Sequence, residues 1–133
     1  MLKLISLDER EELVLTADPA VMFDSEAEDA PSVIRLSEAK IASKKKPTVF
    51  KVRILNSRER MQIAEASGLN HSEALFITCE KAVMEIYDGQ RKAKSSQEIT
   101  DYLLRIPAEC VYSIAGWVLD NSSLSPDPLD KGA

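Results

Sequence analysis

The sequence of 133 residues contains one histidine, two cysteines and four glycines, and aromatic residues make up 5% of it. A metal site needs several His, Cys or carboxylate ligands at suitable spacing, and the sequence has no such grouping. A serine or cysteine hydrolase needs a base beside its nucleophile, and His71 falls in the predicted first turn of a helix. The few glycines form no phosphate-binding loop. We therefore expect no enzyme activity, no metal and no cofactor.

Long hydrophobic runs are also lacking. No apolar stretch approaches the roughly 18 residues needed to span a membrane, and the start MLKLISLDEREEL does not have the pattern of a signal peptide. Cys79 and Cys110 lie on apolar faces of predicted helices, which is typical of buried thiols rather than of a disulfide. These features indicate a reducing compartment such as the cytoplasm, with no membrane partner.

Charge is abundant and unevenly distributed. The whole chain carries a net charge of −5. Residues 1–30 carry a net charge of −7, residues 31–60 one of +7 and residues 61–133 one of −5. This segregation suggests that the first block pairs with the second, within the molecule or between copies, although two solvated tails of opposite sign remain an alternative.

Residues 1–46 show weak periodicity. LKLIS and SVIRLS are predicted to form short strands, and DEREELVL a helical turn, because Ser6 and Glu9 stand at capping-box spacing. Pro19 and Pro31 interrupt any longer helix, and DSEAEDAPS is typical of a polar linker. We interpret this region as an extended, charged N-terminal arm.

A strand is predicted directly after the arm. TVFKVRI, at residues 48–54, alternates in a way that places Phe50, Val52 and Ile54 on one buried side. Pro47 fits at the entry to such a strand, where no backbone donor is required.

Four helices are predicted to follow. Three of them begin with the same signal, an Asn or Ser followed three residues later by Glu. In this signal the Asn or Ser side chain accepts a hydrogen bond from the backbone N–H of the Glu. These pairs are Asn56 with Glu59, Asn70 with Glu73 and Ser95 with Glu98. The corresponding helices cover about 57–67, 71–88 and 96–105, and Pro107 predicts the start of the fourth.

The expected fold is therefore mainly α. It comprises a strand and a small four-helix core at residues 47–121, preceded by the long, largely extended arm of residues 1–46. A polar tail at residues 122–133 follows the core.

This layout resembles small morphogenesis and virion proteins of tailed bacteriophages, most of all those labelled tail assembly chaperones. The resemblance covers about residues 47–125. It rests on a stretch PTVFKVRILNSRE and on a later helix with a serine-rich end, carried by Pro47, Thr48, Val49, Phe50, Arg53, Leu55, Ser57, Arg58, Glu59, Pro107, Ile114, Ser123, Leu124 and Ser125. The segment ITCEKAVMEIYDG and the long arm depart from the family pattern.

The resemblance implies a non-enzymatic assembly protein that acts by protein–protein contacts in the host cytoplasm. Its expected partners are tail or capsid subunits and copies of itself. The alternative is a structural virion protein, such as a capsid decoration or head–tail component, whose arm laces onto neighbouring subunits. The residues predicted to make these contacts are Lys44, Lys45, Lys46, Phe50, Arg53 and Trp117.

Two alternatives concern these contact residues. The lysine triplet could bind nucleic acid, but it lacks interleaved aromatic residues and the whole chain is acidic, so no nucleic-acid partner is expected. Trp117 lies beside the buried stripe of the fourth helix, where it fits either the edge of the core or an interface anchor.

Overall fold

In the computed structural model, the described residues are 8–22, 31–42, 44–89 and 91–122. The predicted strand at residues 2–6, most of the acidic linker (residues 24–30) and the tail beyond residue 122 lie outside them. The strands are β1 (Arg10–Leu15), β2 (Val21–Met22), β3 (Val33–Arg35), β4 (Lys40–Ile41), β5 (Val49–Arg53), β6 (Val83–Asp88) and β7 (Arg91–Ala93). The α-helices are α1 (Ser57–Leu69), α2 (His71–Ala82), α3 (Ser96–Arg105) and α4 (Ala108–Ser122).

Five strands form one antiparallel sheet in the order β3-β1-β5-β6-β7. Leu13 of β1 pairs with Phe50 of β5, and Phe50 pairs with Ile86 of β6, so these three residues lie side by side on one face. β2 and β4 form a separate two-stranded ribbon.

The prediction of a mainly α fold is wrong, because the protein is a mixed α/β structure with a five-stranded sheet and four helices in its described part. The predicted strand at residues 48–54 is confirmed as β5, but it is an inner strand rather than an isolated one. Residues 10–15, which were assigned to the arm and to a helical turn, form β1 between β3 and β5. In REELVL the three apolar residues are consecutive and do not alternate with polar ones, and pairing with β5 decides the conformation.

The predicted helix at residues 71–88 is also wrong in its last third. α2 ends at Ala82, and Val83 already has an extended backbone with ψ of 119°. The sequence VMEIYD that follows contains β-branched and aromatic residues, which suit a strand. An apolar stripe at helical spacing continues from Cys79 to Ile86, so periodicity alone gave the wrong assignment.

The predicted helix starts are confirmed. Asn56 Oδ1 accepts a hydrogen bond of 2.9 Å from Glu59 N, and Asn70 Oδ1 accepts one of 3.1 Å from Glu73 N. Ser95 and Glu98 form a complete capping box at the start of α3. Capping depends on residues three apart, so it can be predicted from the local sequence.

The main core lies between the helices and one face of the sheet. Its buried members include Leu13, Phe50, Val52 and Ile86 from the strands. From the helices they include Ile99, Leu103, Val111, Ile114 and Val118. On the opposite face Val14 and Val49 form a smaller cluster with Val21 of the β2–β4 ribbon, and Ile34, Ile41 and Tyr87 pack against it.

Asp18 attaches the ribbon to the sheet. Its two carboxylate oxygens accept hydrogen bonds from the backbone of Ala20, at 2.9 Å, and of Thr48, at 2.8 Å. At the other end of the core, the buried Ser122 Oγ accepts a bond of 3.0 Å from Leu55 N. Among the described residues, no helix combines the length and apolar character needed to cross a bilayer.

Candidate functional site

An apolar groove of about 420 Å³ runs between the first turn of α2, the end of α3 and the start of α4. We refer to this surface as the apolar groove. Its apolar lining comes from Phe76, Leu103, Leu104, Ile106, Val111 and Tyr112. Three different helices contribute these side chains, so the groove exists only in the folded protein.

Two large side chains of the apolar groove face solvent. Leu104 is 66% exposed and Tyr112 is 39% exposed, while Phe76 is half-buried. α3 turns Ile99 and Leu103 into the core. Leu104, one residue further along, cannot face the same way because successive helical residues are separated by about 100°.

The rim of the apolar groove is polar. Asn70, Ser72 and Glu73 from the start of α2 form one side. The Asn70 side chain is held by its capping hydrogen bond to Glu73 N. A concave apolar surface with a polar rim is typical of a site that binds an apolar segment of another molecule.

Two features of the described part of the chain bear on reactive chemistry. No group of three or more His, Cys, Asp or Glu residues there could hold a metal ion. Burial raises the pKa of the Cys79 thiol to about 12, and its Sγ lies 3.2 Å from the carbonyl oxygen of Val111. At neutral pH Cys79 is therefore a protonated core residue and not a nucleophile.

The six residues predicted to make contacts do not form one site. Lys44, Lys45 and Lys46 are exposed in the segment between β4 and β5. Lys44 has a φ of +65°, a left-handed conformation that is uncommon for a residue with a side chain. These lysines are accessible to a partner.

Phe50 and Trp117 belong to the core or its edge. Phe50 is 1% exposed and its ring meets Tyr102 edge-on at 6.2 Å between centroids, so it is not accessible to a partner. Trp117 is half-buried against the core, and the Arg35 guanidinium lies 5.5 Å from the centroid of its ring. Of the two alternatives for Trp117, this position is the edge of the core.

Arg53 is engaged within its own chain. Its guanidinium forms two hydrogen bonds with Glu59, at 2.8 and 2.5 Å. Glu59 Oε1 also accepts a bond of 3.1 Å from Asn56 N. The hydrogen bond from Arg53 lowers the pKa of the Glu59 carboxyl, an effect that partial burial opposes. Arg53 thus connects the end of β5 to the start of α1.

This ion pair predicts a specific pH dependence. Because the pKa of Glu59 is lower in the folded than in the unfolded state, its contribution to stability is present above pH 4.5, the ordinary pKa of the group, and is lost as the pH falls through the folded-state pKa. The wild type should therefore exceed Glu59→Gln in free energy of unfolding at neutral pH, by an amount that shrinks in acid. Urea unfolding at several pH values measures this difference.

The control for this prediction is the same comparison with Arg53 replaced by Met. Without the guanidinium, the pH-dependent part of the difference between Glu59 and Gln should largely disappear. A difference that persists unchanged in the Arg53→Met background would mean that another group, and not Arg53, stabilises the carboxylate.

The apolar groove was missed at the sequence level, although one signal was available. Ile99, Tyr102, Leu103 and Ile106 recur at helical spacing and would share one face, which leaves Leu104 unexplained. Leu104 is about 100° around the helix from Leu103 and about 200° from Tyr102, so it lies off this face. Tyr112 is likewise next to the buried Val111 and lies off the buried stripe of α4.

Comparisons with protein-family models, with curated proteins and with solved structures returned no match.

Proposed function

We propose that this chain is a non-enzymatic assembly protein that holds a partner protein in its apolar groove. The observation that carries the proposal is the exposure of Leu104 and Tyr112 within a groove built by three helices. Each Å² of apolar surface that is removed from water lowers the free energy of the complex by about 25 cal/mol. An apolar partner segment would therefore gain binding free energy by covering them.

An amphipathic helix is the partner segment that fits this groove. The walls of the groove are helices, so no strand edge is available there to hydrogen-bond with an extended peptide. Recognition must then come from side chains, as when apolar residues of a helix at positions i, i+3 or i+4 and i+7 enter a groove. Glu73 on the rim favours a basic residue beside these apolar positions.

The finer proposal is that the partner is an unassembled tail subunit of a bacteriophage. It rests on the sequence resemblance to tail assembly chaperones. In this role the groove would cover an apolar surface of the subunit in the host cytoplasm until polymerisation. In the alternative role, the arm of residues 1–46 binds along neighbouring virion subunits. This role is less favoured because β1 and β3, which belong to the arm, pair within the sheet of their own chain.

Replacing Leu104 with Glu tests the proposal. We expect the variant to bind the tail subunit at least about tenfold more weakly, because a central apolar contact is replaced by a charge. The measurement is co-purification from cells expressing both proteins, with the captured protein identified by mass spectrometry, followed by titration of the purified pair. Leu104 is 66% exposed, so the free energy of unfolding should change by less than about 0.5 kcal/mol.

Met61→Glu is the matched control. Met61 is also 66% exposed but lies on α1, which does not contribute to the groove. The proposal predicts wild-type binding for this variant. Equal weakening by both substitutions, or binding that survives Leu104→Glu, would show that the groove is not the binding site.

The composition of purified phage particles separates the two roles. An assembly chaperone should be abundant in infected cells and absent from finished particles. Stoichiometric amounts in the particles would instead establish the structural virion role. Quantitative mass spectrometry of both samples provides the measurement.

A further inference from the structure

The hairpin formed by β6 and β7 ends the five-stranded sheet. Among the described residues β7 pairs with β6 on one side only, and its other side is an open sheet edge in that part of the chain. Asp88 pairs with Arg91, so the connection contains two residues. Gly89 has a φ of +58°, which matches the primed turns that close two-residue hairpins.

The register of this hairpin determines which backbone groups face the open edge. In a two-residue hairpin the residues that flank the turn hydrogen-bond to each other, and the next pair along the strands does not. Tyr87 and Lys92 form that next pair. The backbone N–H and C=O of Lys92 therefore point away from β6, towards the open edge.

A second groove, of about 450 Å³, lies between this hairpin and α3. We refer to it as the hairpin groove. Ile86, Ala93 and Tyr102 supply its apolar surface, and its charged lining is balanced between Asp88, Glu98 and Asp101 on the one hand and Arg91, Lys92 and Arg105 on the other. Tyr102 Oη donates a hydrogen bond of 3.1 Å to Asp88 Oδ2, which fixes the ring between the hairpin and α3.

The two faces of β7 offer different chemistry to a neighbouring strand. Ala93 pairs with Ile86 and faces the hairpin groove, where there is room for a small or branched apolar side chain. Lys92 lies on the opposite face, with its Nζ 5.3 Å from the centroid of the Tyr87 ring. The exposed Lys94 follows directly after β7, and both lysines lie near Glu85 of β6. A strand added here would place every second residue opposite these lysines.

We propose that an extended segment of a partner protein, with acidic and apolar residues in alternation, adds to the open edge of β7 as a sixth strand. Its acidic side chains lie beside Lys92 and Lys94, and its apolar side chains enter the hairpin groove. Strand addition of this kind takes affinity from main-chain hydrogen bonds and specificity from alternate side chains. Lys92 and Lys94 also disfavour the addition of a second copy of β7, because like charges would then lie side by side.

This second surface goes beyond the proposed function, because the hairpin groove and the apolar groove share no lining residue. One surface suits an amphipathic helix and the other suits an extended acidic strand. A protein with both could hold two different segments of an assembly at the same time.

The probe for the test is a fluorescently labelled hexapeptide that alternates glutamate and valine. Anisotropy is measured with the full-length chain, and a peptide that alternates lysine and valine is the control. We expect the acidic peptide to bind and the basic peptide not to bind. Binding should weaken as salt is raised, because the charges are exposed.

Variants of β7 separate strand addition from simple charge attraction. Lys92→Pro removes the N–H that faces the open edge and should abolish binding, since proline is tolerated at a sheet edge but cannot donate. Lys92→Glu combined with Lys94→Glu should weaken binding about tenfold through two lost surface charge pairs. The double variant keeps the test decisive if the proline variant does not fold.

Lys40→Glu combined with Arg58→Glu is the charge-matched control. Both residues are exposed and lie outside the hairpin, on β4 and in α1. This variant should bind the acidic peptide as the wild type does. Equal weakening by the two double variants, or unchanged binding by Lys92→Pro, would overturn the proposal.

Leu104→Glu should leave peptide binding intact, so failure of the helix-binding function is distinguishable from failure of this inference.

Discussion

Replacing Phe50 with alanine is expected to lower the free energy of unfolding by about 3–5 kcal/mol. The ring is 1% exposed, and its residue pairs with Leu13 on one side and Ile86 on the other. The substitution removes a large apolar group where the sheet meets the helices and leaves a cavity that the flanking strands cannot close. Chemical denaturation monitored by the fluorescence of Trp117 measures the effect.

Met22→Ala provides the comparison. Met22 is 60% exposed on the short strand β2, so its replacement should change the free energy of unfolding by less than about 0.5 kcal/mol. A similarly small effect for Phe50→Ala would contradict the placement of Phe50 in the core.

A chain that begins at residue 47 is expected not to fold cooperatively. The deletion removes β1, the neighbour of β5, together with the fully buried Leu13 and Val14. It leaves one side of β5 without hydrogen-bond partners and exposes the core to water. Near-ultraviolet circular dichroism and thermal unfolding of the shortened chain provide the measurement.

Addition of a separate peptide of residues 1–46 should restore the native signal, because the missing strand can then pair with β5. A cooperative transition in the shortened chain by itself would contradict the prediction. It would mean that the first 46 residues are an appendage to an independent helical core.

The parts of the fold that could be predicted depend on short-range chemistry. Asn56, Asn70 and Ser95 cap helices through a hydrogen bond to the third residue beyond, and these starts were found. β5 was found because its residues alternate. The β3 strand was also found, within the predicted SVIRLS segment.

The missed elements depend on contacts between distant residues. Leu13 becomes a strand residue because Phe50, far along the chain, offers its backbone. Val83 leaves the helix because β5 pairs with it. Neither strand could be assigned from its local pattern: the first segment does not alternate, and the second, despite its β-branched and aromatic residues, continues an apolar stripe that a helix would also show.

The candidate site could be predicted only in part, for a related reason. Lys44, Lys45 and Lys46 were expected to be accessible, and exposure follows from charge. Phe50 and Arg53 were selected by type, but burial in the sheet and an ion pair with Glu59 occupy them. The apolar groove requires the relative placement of three helices, which no single segment specifies.

The position of β5 also constrains the order in which the protein can be made and folded. One of its neighbours, β1, precedes it in the chain, while the other, β6, follows after two helices. During synthesis on the ribosome, β1 emerges early but must wait for β5, and the sheet is not continuous until β6 has been translated. Such distant pairings slow folding relative to a bundle of local helices. The nascent chain therefore exposes apolar strand residues for most of its translation, and its yield in cells should respond to chaperones that bind emerging polypeptides.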